Sequence, residues 1–180
     1  MSVLLAPGAG TDRNHASLVS AAEAITAATG ESVERMDFPY RKAGRKIPDK
    51  AAVLVQAVRD EAALLKGPLI LGGRSMGGRM CSMAVAEGLE ARALILICYP
   101  LHPPGKPDAL RVEHFSRITV PCLFVSGTRD AFGTPEELTA HTAAIVGPVT
   151  HVWIEGGDHS LRKRDGLVAS AIVSWLGSLA

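Results

Sequence analysis

The sequence predicts an α/β fold: a doubly wound, mostly parallel six-stranded sheet with helices on both faces. Short apolar, β-rich runs alternate with longer helical patterns along the chain, which is typical of strands joined by right-handed crossovers. The runs are apolar almost throughout, as expected of parallel strands covered on both faces. A length of 180 residues, 47% of them hydrophobic and 21% charged, predicts one globular domain spanning residues 1–180.

The predicted strands are the six runs that are nearly continuous in apolar character, at Val3–Ala6, Val33–Phe38, Pro68–Leu71, Ala93–Cys98, Cys122–Ser126 and Val149–Ile154. The intervening helical patterns predict helices near His15–Thr29, Asp49–Lys66, Ser75–Glu87, Pro135–Val146 and Lys163–Leu179.

Several of these helices carry sequence signals for their ends. Gly30 follows the first helix and Gly67-Pro68 ends the second, because glycine favours the turn that closes a helix and proline does not continue one. Thr134-Pro135-Glu136-Glu137 supplies an N-cap, a first-turn proline and two acidic residues at the positive end of the next helix dipole.

A proline-rich segment, residues 99–116, separates the fourth and fifth predicted strands. Pro100, Pro103, Pro104 and Pro107 exclude regular structure over its first half. We therefore expect a loop that lies over the carboxyl edge of the sheet.

Composition excludes several classes of partner. Nineteen Lys and Arg against eighteen Asp and Glu leave a formal charge of +1, so we expect no nucleic-acid partner. No apolar stretch approaches the roughly 18 residues of a membrane span, and the first residues lack a secretory signal, which predicts a cytoplasmic protein without a membrane partner. Cys81, Cys98 and Cys122 form neither a disulfide framework nor a CxxC pair, so we expect reduced, buried thiols and no metal.

One motif combines a strand, a tight turn and a helix around a serine. Gly73-Arg74-Ser75-Met76-Gly77 has the G-x-S-x-G pattern and follows a predicted strand directly. Glycines two residues before and after Ser75 let strand and helix approach without Cβ clashes, and the turn lifts the hydroxyl clear of the sheet. This spacing predicts a nucleophile at Ser75; the alternative is a glycine-rich turn whose serine only caps a helix.

A serine nucleophile needs a base and an acid that orients the base. On a doubly wound sheet these follow the carboxyl ends of later strands, in the order Ser, Asp or Glu, His. Asp130 follows the fifth strand and His159 follows the sixth, each after a glycine-containing turn. We predict Ser75, Asp130 and His159 as the catalytic residues, in preference to the other candidates Asp158, His15, His102, His114, His141 and His151.

The predicted oxyanion hole combines two backbone amides. The N–H of Met76 lies at the start of the helix that follows the serine. The second donor is expected in the turn after the first strand, where Ala9 is the first choice and Gly10 the second. That turn is not a dinucleotide fingerprint, because no third glycine follows three residues on.

The elbow at residues 72–79, the segment at 99–107 and Gly127-Thr128-Arg129-Asp130 together resemble the α/β-hydrolase superfamily, over nearly the whole chain. Within it the sequence is similar to small dienelactone-hydrolase-like proteins, and to a subgroup whose animal relatives include a testis-expressed protein and a histone-acetyltransferase-complex subunit. The resemblance implies a minimal α/β-hydrolase without a lid domain, acting by acyl transfer without a metal or organic cofactor. Two positions depart from the pattern. Pro7 stands where many relatives carry histidine, and Ser75 stands where dienelactone hydrolases carry a cysteine nucleophile.

The predicted function is that of a serine hydrolase that cleaves a small ester or thioester through an acyl-enzyme intermediate. The predicted partner is thus a small-molecule acyl substrate, with Arg74, Arg129 and His102 as candidate substrate-binding residues near the site. Arg74, Lys106, Arg111 and Arg129 all lie at the same predicted edge, where they could favour an anionic substrate; the alternative is that they are solvated surface charges. The alternative is a non-catalytic α/β-hydrolase-fold interaction module that works by binding another protein.

Overall fold

The computed structural model describes residues 1–179, which form an all-parallel six-stranded sheet in the order β2-β1-β3-β4-β5-β6. The strands are β1 Ser2–Ala6, β2 Val33–Arg35, β3 Leu69–Arg74, β4 Ala93–Ile97, β5 Cys122–Gly127 and β6 Val149–Ile154. Every neighbouring pair is parallel, so the predicted fold class is confirmed, with a sheet wholly rather than mostly parallel.

Helices cover both faces of this sheet. They are α1 Ala16–Thr29, α2 Pro39–Lys42, α3 Ala51–Ala62, α4 Met76–Ala86, α5 Pro135–Thr142 and α6 Asp165–Gly177, with a 3₁₀ turn at Phe115–Arg117. Helices α1 and α6 pack on one face and α3, α4 and α5 on the other, each with its own apolar core. β4, which lies inside the sheet, is fully buried along its length, and this double coverage explains its continuous apolar run.

Some predicted boundaries are wrong for local reasons. The second strand ends at Arg35 instead of Phe38, because Phe38 becomes the N-cap of the short helix α2, which the sequence analysis did not predict. The helix predicted to reach Val146 ends at Thr142. Beyond it, the amides of Val146 and Gly147 donate to the Ile118 carbonyl, so tertiary hydrogen bonds replace those of a continued helix.

The order of the strands determines where a crevice opens at the carboxyl edge of the sheet. From β1 the chain moves outward to β2 and then returns to the other side of β1 with β3, so the direction of winding reverses between β1 and β3. Loops that leave the carboxyl ends of two such strands diverge and leave a crevice. The turn after β1 and the G-x-S-x-G turn after β3 both border this crevice.

The proline-rich segment folds back on itself at the same edge. The Tyr99 hydroxyl donates to the Arg111 carbonyl at 2.7 Å, and the Arg111 amide donates to the Leu101 carbonyl at 2.9 Å. The segment has no helix or strand before the 3₁₀ turn, as its prolines predict.

All three cysteines are free and buried, as predicted, and burial raises the pKa of each thiol to about 12. None of the helices within residues 1–179 has the length and apolar character that crossing a bilayer requires.

Candidate active site

Ser75 occupies a strained turn between β3 and α4. Its backbone has a φ of 51° and a ψ of −119°, which L-residues rarely adopt, at a cost of order 1–3 kcal/mol. The Ser75 amide donates to the Ile97 carbonyl of β4 at 2.8 Å and so holds the turn against the sheet.

The two motif glycines make this turn possible. A Cβ atom at Gly73 would lie 2.5 Å from the Ala6 carbonyl oxygen, and one at Gly77 would lie 2.2 Å from the same atom. Both distances are far below van der Waals contact, so the start of α4 approaches the end of β1 only when these positions lack a side chain.

The structure brings together the three residues predicted as catalytic. The Ser75 Oγ lies 2.9 Å from His159 Nε2, and His159 Nδ1 lies 2.8 Å from Asp130 Oδ2 and 3.0 Å from Oδ1. The Asp130 carboxylate accepts from the Nδ1–H, which leaves Nε2 as the acceptor for the Ser75 hydroxyl. Asp130 is 2% exposed, whereas the His159 ring keeps 20% of its surface exposed towards the crevice.

Backbone and aromatic contacts fix the acid and the base. The Phe132 amide donates to Asp130 Oδ1 at 2.8 Å, and the Phe132 ring stacks on His159 with centroids 3.9 Å apart. The turns that carry the two residues touch directly, since a Cβ at Gly127 would lie 2.2 Å from the Gly157 carbonyl oxygen. The imidazole is therefore held by packing as well as by hydrogen bonds.

Arg74, predicted to bind substrate, is tied to the protein instead. Its side chain is nearly buried, and its guanidinium donates to the backbone carbonyl of His159. One of its terminal nitrogens lies beside Gly8 of the turn after β1. Arg74 thus links the serine turn, the histidine loop and the first βα turn, while one side of it still borders the crevice.

The residues that carry the candidate oxyanion amides line the same crevice as Ser75. Met76 is the first residue of α4, so its N–H is free of the helix ladder. Within residues 1–179, the amides of Ala9 and Gly10 donate to no protein acceptor, and both residues line the crevice. The Tyr40 hydroxyl donates to the Ala9 carbonyl at 2.7 Å and holds that turn in place.

A cleft of about 500 Å³ opens above the serine. It is lined by Gly8, Ala9, Gly10, Thr11, Arg74, Ser75, Met76, Arg79, Pro100, Arg111, Phe132 and His159. The structure places two of the predicted substrate-binding residues outside it. Arg129 is exposed and does not line the cleft. His102 is buried, with Nδ1 2.9 Å from the Pro103 carbonyl oxygen and Nε2 3.4 Å from Glu137 Oε2.

Ligand atoms of Cys98, Asp130 and His159 lie within 4.8 Å of one another, close enough for all three to reach one metal ion. The carboxylate and the imidazole are already hydrogen-bonded to each other. Burial keeps the Cys98 thiol protonated, because its pKa is raised to about 12. This arrangement favours a hydrogen-bonded acid and base over a metal centre.

Other histidines have structural partners of their own and do not line the cleft. His15 caps α1 and lies 2.8 Å from the Ser17 hydroxyl, and His151 lies 2.9 Å from the Thr142 hydroxyl. His114 is buried, and burial followed by the charge of Arg79 lowers its pKa to about 4.

Sequence reasoning missed the supporting roles of Phe132 and Tyr40, and it did not consider Arg79. Phe132 was within reach, because it follows Asp130 by two residues in the same turn. Nothing in the local sequence connects Tyr40 with Ala9, which lies 31 positions away.

Comparison with known proteins agrees with this geometry. Residues 1–173 match the family described as alpha/beta hydrolase domain. Est1E from Butyrivibrio proteoclasticus is 18% identical, with 99% of this chain and 87% of that chain covered at a TM-score of 0.80, and it has also been solved with ferulic acid bound. A putative hydrolase of the alpha/beta superfamily from Xanthomonas campestris pv. campestris is 23% identical, with 98% of both chains covered and a TM-score of 0.74. An alpha-beta serine hydrolase homologue from Coxiella burnetii is 19% identical, with 98% of this chain and 85% of that chain covered and a TM-score of 0.81. The chain belongs to the alpha/beta hydrolase domain family.

Proposed function

We propose that this protein is a serine hydrolase that cleaves a small ester or thioester through an acyl-enzyme intermediate. One observation carries the proposal: the unbroken series of hydrogen bonds from Ser75 Oγ through both nitrogens of His159 to the buried carboxylate of Asp130. A nucleophile, a base and an orienting acid in this relation are the requirement for acyl transfer to a serine.

In the first half of the reaction, Ser75 Oγ attacks the substrate carbonyl carbon while its proton passes to His159 Nε2. Asp130 stabilises the imidazolium that forms and keeps the ring in the required orientation. The tetrahedral intermediate then collapses as the bond to the leaving oxygen or sulfur breaks. His159 gives its proton to that leaving group, and the acyl group remains on Ser75.

The negative charge on the carbonyl oxygen is stabilised by the amides of Met76 and Ala9, with Gly10 as the alternative to Ala9. A preorganised donor of this kind contributes about 10²- to 10³-fold to kcat. The hydrogen bond from the Tyr40 hydroxyl to the Ala9 carbonyl fixes the peptide that carries the Gly10 N–H, so this contact supports the Gly10 alternative.

In the second half, water attacks the acyl carbon while His159 takes its proton, and the proton then returns to Ser75 as the acid leaves. His159 is exposed towards the cleft, and no lid covers the carboxyl edge within residues 1–179, so water has direct access. The open cleft of about 500 Å³ and the low aromatic content of 4% favour a short acyl chain over a long, enclosed one.

The relatives support the same class of chemistry. Ferulic acid, bound to Est1E, is a small carboxylic acid, the type of product that ester hydrolysis releases. The similarity to dienelactone-hydrolase-like proteins does not carry lactone specificity, because position 75 is serine instead of cysteine.

The direct test is labelling with a fluorophosphonate probe, together with turnover of p-nitrophenyl esters of increasing chain length. Ser75→Ala is expected to abolish both, while the control Ser170→Ala, an exposed serine on α6, is expected to keep both. Turnover retained in the Ser75→Ala variant would remove Ser75 from the chemistry. A folded wild-type protein that neither labels nor turns over would favour the interaction module instead.

A further inference from the structure

The side chains that line the cleft above Ser75 include basic groups and no acidic ones, although the chain as a whole is nearly neutral. Three arginines, Arg74, Arg79 and Arg111, are among its lining residues, and no aspartate or glutamate of residues 1–179 is. Asp130 lies behind His159 and is bonded to it. The formal charge of the whole chain is only +1, so positive charge is concentrated at this cleft.

Arg79 lies one helical turn beyond the candidate nucleophile. Its amide donates to the Ser75 carbonyl at 3.1 Å, and residues four apart share one face of a helix. Its Nε atom is buried without a hydrogen-bond partner. Among residues 1–179, no carboxylate forms an ion pair with Arg79.

Arg111 reaches the same cleft from the proline-rich segment. Its backbone is anchored at both ends, because its amide donates to the Leu101 carbonyl and its carbonyl accepts from the Tyr99 hydroxyl. Its side chain is half-buried. Burial first, and then the positive charge of Arg79, lower the pKa of the Arg111 guanidinium. In the part of the chain that the structure describes, Arg111 also lacks an ion-pair partner.

Two partly desolvated guanidinium groups close to each other are unfavourable without a counter-charge. The acidic residue beside them, Glu113, is exposed and forms no ion pair with either arginine. His114 supplies no counter-charge, since its buried ring lies against the Ser82 hydroxyl. A planar guanidinium matches the two oxygens of a carboxylate or phosphate and binds such groups through short, charge-assisted hydrogen bonds. An anion that binds both side chains would therefore stabilise this pair of positive charges.

We propose that Arg79 and Arg111 form an anion-binding subsite beside Ser75, so that the substrate class is small esters or thioesters bearing a carboxylate or phosphate group. Arg74 is not assigned to it, because one terminal nitrogen of its guanidinium donates to the His159 carbonyl and so fixes the side chain against the histidine loop. This inference rests on the proposed function for the reaction, but binding of the anion itself is independent of turnover.

The kinetic test compares two esters of nearly the same size: 4-nitrophenyl hydrogen glutarate and its neutral methyl ester. The wild-type protein is expected to show a kcat/KM at least tenfold higher for the anionic ester, mainly through KM. In Arg79→Gln and in Arg111→Gln this ratio is expected to fall towards one. Arg129→Gln, which removes an exposed arginine outside the cleft, is expected to keep the wild-type ratio. A wild-type ratio of one or below, or a ratio that neither cleft variant changes, would overturn the proposal.

The binding test separates this proposal from the proposed function. Glutarate and inorganic phosphate are titrated calorimetrically into wild-type protein and into the Arg79→Gln, Arg111→Gln double variant. Binding that the double variant loses supports the subsite even if neither ester is hydrolysed, and the better-bound anion identifies the group. If no ester is turned over and neither anion binds to the wild-type protein, both proposals fail. If esters are turned over but no anion binds and the anionic ester is not preferred to the neutral one, only the subsite proposal is overturned.

Discussion

Replacing Asp130 with asparagine tests the proposed role of the buried acid most sharply. The Phe132 amide donates to Asp130 Oδ1, so the carboxamide of the Asp130→Asn variant must keep its oxygen at that position. Its NH₂ group then takes the place of Oδ2, 2.8 Å from His159 Nδ1. An amide N–H directed at Nδ1 makes that nitrogen the acceptor and moves the ring proton to Nε2. The imidazole can then no longer accept the Ser75 proton.

The expected loss follows from this change of tautomer. An asparagine in this position of a Ser-His-Asp triad lowers kcat by about 10⁴, which corresponds to roughly 5.5 kcal/mol of activation free energy. The assay is kcat for p-nitrophenyl acetate at neutral pH, with the rate of fluorophosphonate labelling as a second readout. Both are expected to fall while KM changes little.

Asp158→Asn is the matched control, since it makes the same substitution at the residue next to His159. Asp158 is exposed, and its carboxylate accepts from the amide of Ser160 instead of the imidazole. Its kcat is expected to stay within about threefold of wild type. If the Asp130→Asn variant keeps more than a tenth of the wild-type kcat, the inference about the tautomer is wrong.

Two further predictions concern stability. Gly77→Ala puts a Cβ 2.2 Å from the Ala6 carbonyl oxygen, so it is expected to lower the free energy of unfolding by about 3 kcal/mol or more. The control is Gly177→Ala, because a Cβ at Gly177 has no neighbouring atom within 4 Å; it is expected to change the free energy of unfolding by less than about 1 kcal/mol. Urea denaturation measures both. Burial lowers the pKa of His114 to about 4 in the folded state, so the unfolded chain binds more protons than the folded protein between pH 6.5 and 4. The free energy of unfolding should therefore be greatest above pH 6.5. It should decrease by about 2 to 3 kcal/mol as the pH falls from 6.5 to 4. The His114→Gln variant should show a smaller decrease over the same window, and an equal decrease would contradict the assignment to His114.

The sheet and the serine turn could be predicted because their signals are local. Each buried strand carries its own apolar run, and Gly73 and Gly77 mark the strained turn within five residues of sequence. Asp130 and His159 could be proposed because parallel topology sends the carboxyl ends of all strands to one edge. Chain order then restricted the candidates to the turns after β5 and β6.

The supporting contacts could not be predicted, because they join residues with no regular spacing. Neither the hydrogen bond from Tyr40 to Ala9 nor the fold-back of the loop at Arg111 leaves a pattern in the sequence. The end of α5 at Thr142 depends in the same way on backbone partners in a preceding segment. Such contacts are set by packing in three dimensions, which overrides local preference.

The sequence alone determined the class of fold and the residue types available for chemistry, because the periodicity, the glycine spacing and the succession of strands can all be identified from local sequence. Only the tertiary structure decided which arginines border the serine. From the sequence, Arg74, Arg111 and Arg129 look like equivalent loop cations. In the structure Arg74 is bound to the His159 carbonyl, Arg111 lines the cleft, and Arg129 is exposed and does not line it. Arg79 and Arg111, separated by 32 positions, come together only when α4 and the proline-rich segment pack at the same edge of the sheet.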